Sequence, residues 1–117
     1  MINQQERQKS TSEKENIDSL ITIQKDIEKV IKGEKTSQRR MKRFADVGDI
    51  LTLDGYKFVI EKVYQQELGE ITDEDARKEG YENFEAYKES ILSIHDGMPW
   101  IPTLKVWVHE FSPFKED

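Results

Sequence analysis

The spacing of apolar residues along this chain changes period several times, and each change marks an element. Ile17, Leu20, Ile21, Ile27, Val30 and Ile31 fall near helical spacing, yet residues 20–23 form a short β-branched run suited to a strand. We read a strand over 19–23. A helix then opens near Lys25 and Asp26, buries Ile27, Val30 and Ile31, and stops at Gly33 as its C′ residue. Residues 49–53 and 56–65 read as two strands joined by Asp54-Gly55, the two-residue signal for a type I′ hairpin. Leu51, Leu53, Phe58, Ile60 and Val63 are then available to the core, and the second arm is long enough to predict a bend or bulge.

Helical spacing returns in the second half. Thr72 caps a two-turn helix with acids in its first turn and Gly80 as its stop. Asn83 caps a second helix whose stripe, Phe84, Tyr87, Ile91 and Ile94, recurs at three and four residues. Residues 95–102 are a turn-rich loop in which prolines flank Trp100 and Ile101. Residues 103–111 alternate as a strand, with Leu104, Val106 and Val108 on one face and Lys105, Trp107, His109 and Phe111 on the other. Helices clustered beside antiparallel strands predict an α+β fold, a small and partly closed, mostly antiparallel β-barrel with flanking helices. Residues 1–16 are polar and without a period, so they are expected to be a flexible leader to a single domain over 17–117.

Length and composition narrow the function. One core is the most that 117 residues support, and the absence of cysteine excludes disulfides, thiolate metal sites and cysteine nucleophiles. No apolar run approaches the roughly 20 residues of a membrane span, and the first residues lack a signal peptide's apolar region, so a cytoplasmic location away from membranes is expected. His95 and His109 have no partner at ligand spacing, and no phosphate-loop, dinucleotide, nucleophile-elbow or zincin motif is present. The expectation is no metal and no cofactor. Residues 32–43 carry six basic residues and one acid, a charge of +5, whereas the remainder sums to -11. Such a stretch either holds an anion, phosphate above all, or neutralises acids elsewhere in the fold. In the first case, binding to RNA weakens steeply as salt rises.

The pieces GEKTSQRR (33–40), VGDILTL (47–53), ITDEDARKEGY (71–81), FEAYKESIL (84–92) and VWVHEF (106–111) occur in an order and at spacings that resemble the ASCH domain, a branch of the PUA-like barrels. The resemblance spans residues 19–114. It implies a barrel of about five or six strands and a cleft, between the GxK loop and the helical insertion, that binds RNA or a modified nucleoside. In the amidohydrolase branch, which deacylates N4-acetylcytidine, a GxKxxT lysine and threonine act with an AxxE glutamate. Those positions fall on Lys35, Gln38 and Glu79, and a carboxamide at 38 supplies no nucleophilic hydroxyl.

Two functions are therefore expected from these residues. The first is an RNA- or nucleotide-binding module, in which Lys35, Gln38, Arg39, Arg40, Glu79 and Trp100 contact single-stranded RNA or a modified nucleoside or nucleotide. Arg39 and Arg40 offer planar forks for phosphate or base, and Trp100 either stacks on a base or plugs the end of the barrel. The second is an amidohydrolase acting on an acylated nucleoside, or a ribonuclease, with Lys35 and Glu79 catalytic. Lys35 and Glu79 are equally consistent with a salt bridge from loop to helix. The sequence leaves the oligomeric state open.

Overall fold

The structure, a computed structural model, describes residues 14–115. The first thirteen residues of the expected leader lie outside the described residues. Residues 14–16 are engaged: Lys14 pairs with Asp49 at 2.8 Å, the Glu15 N–H donates to the Arg43 carbonyl, and the Asn16 side chain caps the next turn.

That turn is a single 3-10 turn, Ile17–Ser19, and it stands where the strand over 19–23 was expected. No strand forms there. Leu20 closes the turn onto the Ile17 carbonyl, and Leu20 and Ile21 are both buried in succession, which an alternating strand with one buried face does not allow. The carbonyls of Ser19 and Leu20, which a strand would offer to a neighbour, instead accept from Arg40 Nη1 at 2.8 Å each. Helix α1, Gln24–Ile31, follows with Val30 buried and Ile27 and Ile31 against the same core. It ends as expected, with Gly33 at φ +81°, a left-handed conformation that glycine adopts without a Cβ clash.

Four strands form one antiparallel sheet in the order β1-β4-β3-β2: β1 is Ser37–Arg40, β2 Ile50–Leu53, β3 Tyr56–Glu67 and β4 Lys105–Pro113. Asp54 and Gly55 both take positive φ, 49° and 86°, as the type I′ turn between β2 and β3 requires. The expected bulge lies in β3, where the register to β4 shifts between Ile60 and Lys62 and leaves Glu61 as the extra residue. The sheet curls into a half-barrel flanked by helices, the α+β arrangement expected. Among the described residues it has four strands, fewer than the five or six implied by the resemblance, because residues 17–23 contribute a turn.

Two short helices complete the fold. Thr72 and Asp75 form a capping box on α2, Asp73–Lys78, which ends at Glu79 and Gly80, the latter at φ +95°. Asn83 caps α3, Phe84–Ile94, by accepting from the Ala86 N–H. The core is divided in two, and β4 serves both parts. Phe111 packs with Leu51, Phe58 and Ile60 in the first, and Val106 packs with Leu68, Ala76 and Tyr87 in the second. Each large apolar side chain so buried contributes about 1.5–3 kcal/mol. Among the described residues no helix is long and apolar enough to cross a membrane.

Candidate functional site

Strand β1 is an edge of the sheet, and its alternation sorts the cationic residues. Ser37 and Arg39 are buried on one face, whereas Gln38 and Arg40 are half-buried on the other, opposite His109 and Trp107 of β4. The end of α2 is tied to this strand, because the Thr36 N–H donates to the Lys78 carbonyl at 2.7 Å. Glu79 is thereby brought beneath β1.

The Glu79 carboxylate is the hub of the site. Lys35 Nζ donates to its Oε1 at 3.2 Å and to its backbone carbonyl at 3.0 Å, while Ser37 Oγ and Arg39 Nη1 donate to Oε2 at 2.9 and 2.8 Å. Arg39 continues the network. Its Nε and Nη2 donate to Gln66 Oε1 at 3.0 and 2.7 Å, and Gln66 Nε2 donates to Asp75 Oδ2. Burial alone raises the Asp75 pKa, but the Thr72 N–H, the Gln66 amide and the Arg39 charge outweigh it and hold the group below the usual carboxylate value. A buried carboxylate satisfied by two cations and a hydroxyl is a rigid polar anchor.

Beside this anchor, along the outer edge of β1, lies a cavity of about 650 Å³. Lys35, Gln38, Arg39, Arg40 and Glu79 all line it, so five of the six expected ligand-binding residues meet there. Most of the remaining wall is apolar or aromatic, including Leu20, Phe44, Tyr87, Ile91 and Val106, and Ile23, Met41 and Ile94 at its border are each more than half exposed. The sixth residue, Trp100, is elsewhere: it stands edge-on to Phe84 at 5.7 Å between ring centroids, in the second core cluster.

Each lining group has a distinct state. Gln38 Nε2 donates to the Arg39 carbonyl at 3.3 Å, while its Oε1 is buried without a partner. Arg40 holds the Ser19 and Leu20 carbonyls and lies 4.2 Å over the Phe44 ring, a cation–π contact. Elsewhere in the cationic stretch, Arg43 pairs with Asp46, and Lys42 lies 3.8 Å from Glu15. Much of the local positive charge is matched by nearby acids.

Several contributing residues carried no functional signal in the sequence. His109, read there as an ordinary strand residue, is fully buried behind Gln38. Its Nε2 accepts from the Phe44 N–H at 3.0 Å, which leaves Nδ1–H to donate to the Gln38 carbonyl at 3.1 Å. Burial lowers its pKa, with Arg40 and Arg43 acting in the same direction against the Gln38 bond and Glu79. Tyr87, Tyr81 and Ser90 also face the cavity, with Ser90 Oγ donating to the Tyr81 hydroxyl at 2.9 Å. Their helical spacing announced packing, and nothing local distinguished a wall from a core. Among the described residues no group of three or more metal-ligating side chains is assembled.

No family model and no curated protein matches the sequence. Two solved structures are similar to this chain. An ASCH domain from Lactobacillus crispatus JV V101 superimposes with a TM-score of 0.69 at 12% identity, over 96% of this chain and 86% of that one. Protein EF3133 from Enterococcus faecalis V583, assigned to the family model DUF984, gives a TM-score of 0.55 at 16% identity, over 75% of this chain and 66% of that one. At such identities the likeness lies in the course of the backbone, and the chain has the fold of an ASCH domain.

Proposed function

We propose that the cavity binds a nucleoside or nucleotide unit, free or within single-stranded RNA, and carries out no chemistry on it. The observation that carries this reading is the meeting of polar groups, the bonded Lys35–Glu79 pair and the Gln38 amide, with an apolar and aromatic wall in one cavity. Its volume of about 650 Å³ lies within the roughly 300–1,000 Å³ usual for small-molecule sites. A base offers flat faces to the apolar wall and a polar edge to the polar groups, while ribose and phosphate remain at the mouth. Lys42, with its side chain 73% exposed, is available there to a phosphate.

The test is calorimetric titration with the four common nucleosides, their 5′-monophosphates and a short single-stranded RNA at low salt. Binding that is lost when Ile91→Trp fills the cavity is the expected outcome. An absence of binding to every probe overturns the proposal.

The second reading is an amidohydrolase for an acylated nucleoside, favoured by Lys35 Nζ standing 3.2 Å from Glu79 in the cavity wall. It lacks a nucleophile. Gln38 occupies the place of the threonine in the branch that the chain resembles, and Ser37 Oγ is buried and donates to Glu79. A ribonuclease has no feature of its own in this cavity.

A further inference from the structure

We infer that His109 is a pH-sensitive latch behind the wall of the cavity: its uncharged ring holds the segment around Phe44 against β1, and protonation of that ring releases the segment. His109 is fully buried on β4 and joins two other parts of the chain through its two ring nitrogens. Nδ1–H donates to the Gln38 carbonyl of β1 at 3.1 Å, and Nε2 accepts from the Phe44 N–H at 3.0 Å. The second bond requires a lone pair on Nε2, because a backbone N–H only donates. A protonated ring carries a hydrogen on both nitrogens, so two donors would face each other in a place that water does not reach. Such a conflict is relieved when the Phe44 segment moves away.

The consequence reaches the cavity through residues that line it, Phe44, Arg40 and Leu20. The Phe44 ring stands edge-on to His109 at 6.3 Å between centroids, and Arg40 lies 4.2 Å over the same ring. Arg40 in turn holds the Ser19 and Leu20 carbonyls at 2.8 Å each, so displacing Phe44 withdraws the surface on which that tie rests. The charges around His109 set the sign. Arg40 from β1 and Arg43 from the Phe44 segment oppose a further cation, whereas Glu79 at the end of α2 favours one but is already bonded to Lys35 and Arg39. Across the sheet, β3 places uncharged Val63 opposite His109. The proton is therefore taken up by the state in which the segment has moved and the ring meets water, which makes protonation and opening one event. The latch acts whatever the cavity binds, so it goes beyond the nucleoside reading and does not depend on it.

The experiment follows amide exchange in the wild-type chain by NMR at pH 8 and pH 5, corrected for the intrinsic exchange rate. With the released imidazole titrating at its ordinary value near 6.5, opening at Phe44 grows by up to about 30-fold between these conditions. The Phe44 N–H is expected to lose protection by up to that factor, at a rate that low urea leaves unchanged, because a local opening exposes little surface. Equal Phe44 protection at both pH values overturns the inference. So does Phe44 exchange that rises with urea in step with β3 and β4, since the bond would then open only with the whole fold. A hydrogen on Nε2 at pH 8, read from the imidazole nitrogen shifts, overturns it as well. His109→Gln offers an amide oxygen to the Phe44 N–H and does not titrate, so it is expected to keep the same Phe44 protection at pH 5 as at pH 8. A loss in that variant equal to the wild type's places the proton elsewhere and overturns the inference, and the wild-type comparison decides the matter even where the variant does not fold.

Discussion

Arg39 Nη1 lies 2.8 Å from Glu79 Oε2, and each of these two side chains is only 2% exposed. The bond joins an edge strand to the end of a helix forty residues later, through a charge that water does not reach. Removing one partner of such a pair leaves the other buried and unmatched, which costs about 3–5 kcal/mol, a large part of the roughly 5–15 kcal/mol that holds a domain folded. Glu79→Ala strands both Arg39 and Lys35. Urea unfolding is expected to show it barely folded, with Glu79→Gln intermediate because an amide oxygen still accepts from Ser37 or Arg39. A midpoint unchanged in Glu79→Ala would mean that the network contributes nothing.

His109 supplies a pH dependence whose sign follows from burial. Its folded pKa is lowered below the ordinary 6.5, so between that value and the folded pKa the unfolded chain binds the additional proton. Stability attributable to His109 is therefore present above about pH 6.5 and declines as the pH falls below it. Protonation also removes the Nε2 lone pair that accepts from the Phe44 N–H. Melting temperatures from pH 8 to pH 5 should fall for the wild type, and the dependence should be shallower for His109→Leu. That variant is itself expected to lose about 1–3 kcal/mol at pH 8, because the Phe44 N–H is left unpaired.

These two residues also show what could be read in advance. Features decided within a few residues were legible: the Asp54-Gly55 turn, the Thr72 and Asn83 caps and the glycine stops at 33 and 80 all need local backbone chemistry alone. The apolar run at 20–23 misled because its carbonyls are satisfied by Arg40, twenty residues away, and local β-propensity carries no trace of such a partner. Lys35 and Glu79 were expected as a pair, but Arg39 as their third member depends on which face of β1 turns inward. The register with β4, Ser37 opposite Glu110, decides that. His109 was invisible for a similar reason, since its role depends on Phe44 and Gln38, each distant in sequence.

Arg40 is the residue whose expected role the geometry most reshapes. Its guanidinium joins the segment before α1 to β1 through two carbonyls and covers Phe44, so it builds the wall of the cavity as well as facing it. Arg40→Ala should raise amide exchange in residues 17–23 at least tenfold while protection in β3 and β4 changes little. Arg40→Lys, with a point charge and no planar fork, should recover only part of the protection. Unchanged exchange in both variants would show that the segment is held by Leu20 and Ile21 packing alone.

Salt dependence measures how much of the cationic stretch remains for a ligand. If all six basic residues met phosphate, affinity for single-stranded RNA would fall steeply with salt, but Lys35 and Arg39 are tied to Glu79, and Arg43 pairs with Asp46. With one or two phosphates contacted, a single-strand slope of about -0.7 per contact predicts a log–log slope near -1, or roughly a fourfold loss between 50 and 200 mM. A slope near -4 would indicate that the internal ion pairs open on binding. Lys42→Ala should flatten the slope.

Gln38→Thr tests whether the cavity is one residue away from chemistry. Threonine would place a hydroxyl on a side chain that lines the same cavity as Lys35 and Glu79. A hydroxyl becomes a nucleophile only when a neighbouring base accepts its proton, and of the Lys35–Glu79 pair the carboxylate is the member able to accept one. On the binding-module reading, the wild type leaves N4-acetylcytidine intact and Gln38→Thr releases cytidine in a single-turnover assay, the acetyl group passing to the threonine oxygen and the hydroxyl proton to the departing amine. Glu79→Gln in the same background would abolish the release if the variant remains folded by circular dichroism. Turnover by the wild type would instead favour the amidohydrolase reading and require water as the attacking group, because the carboxamide at position 38 cannot form the acyl intermediate.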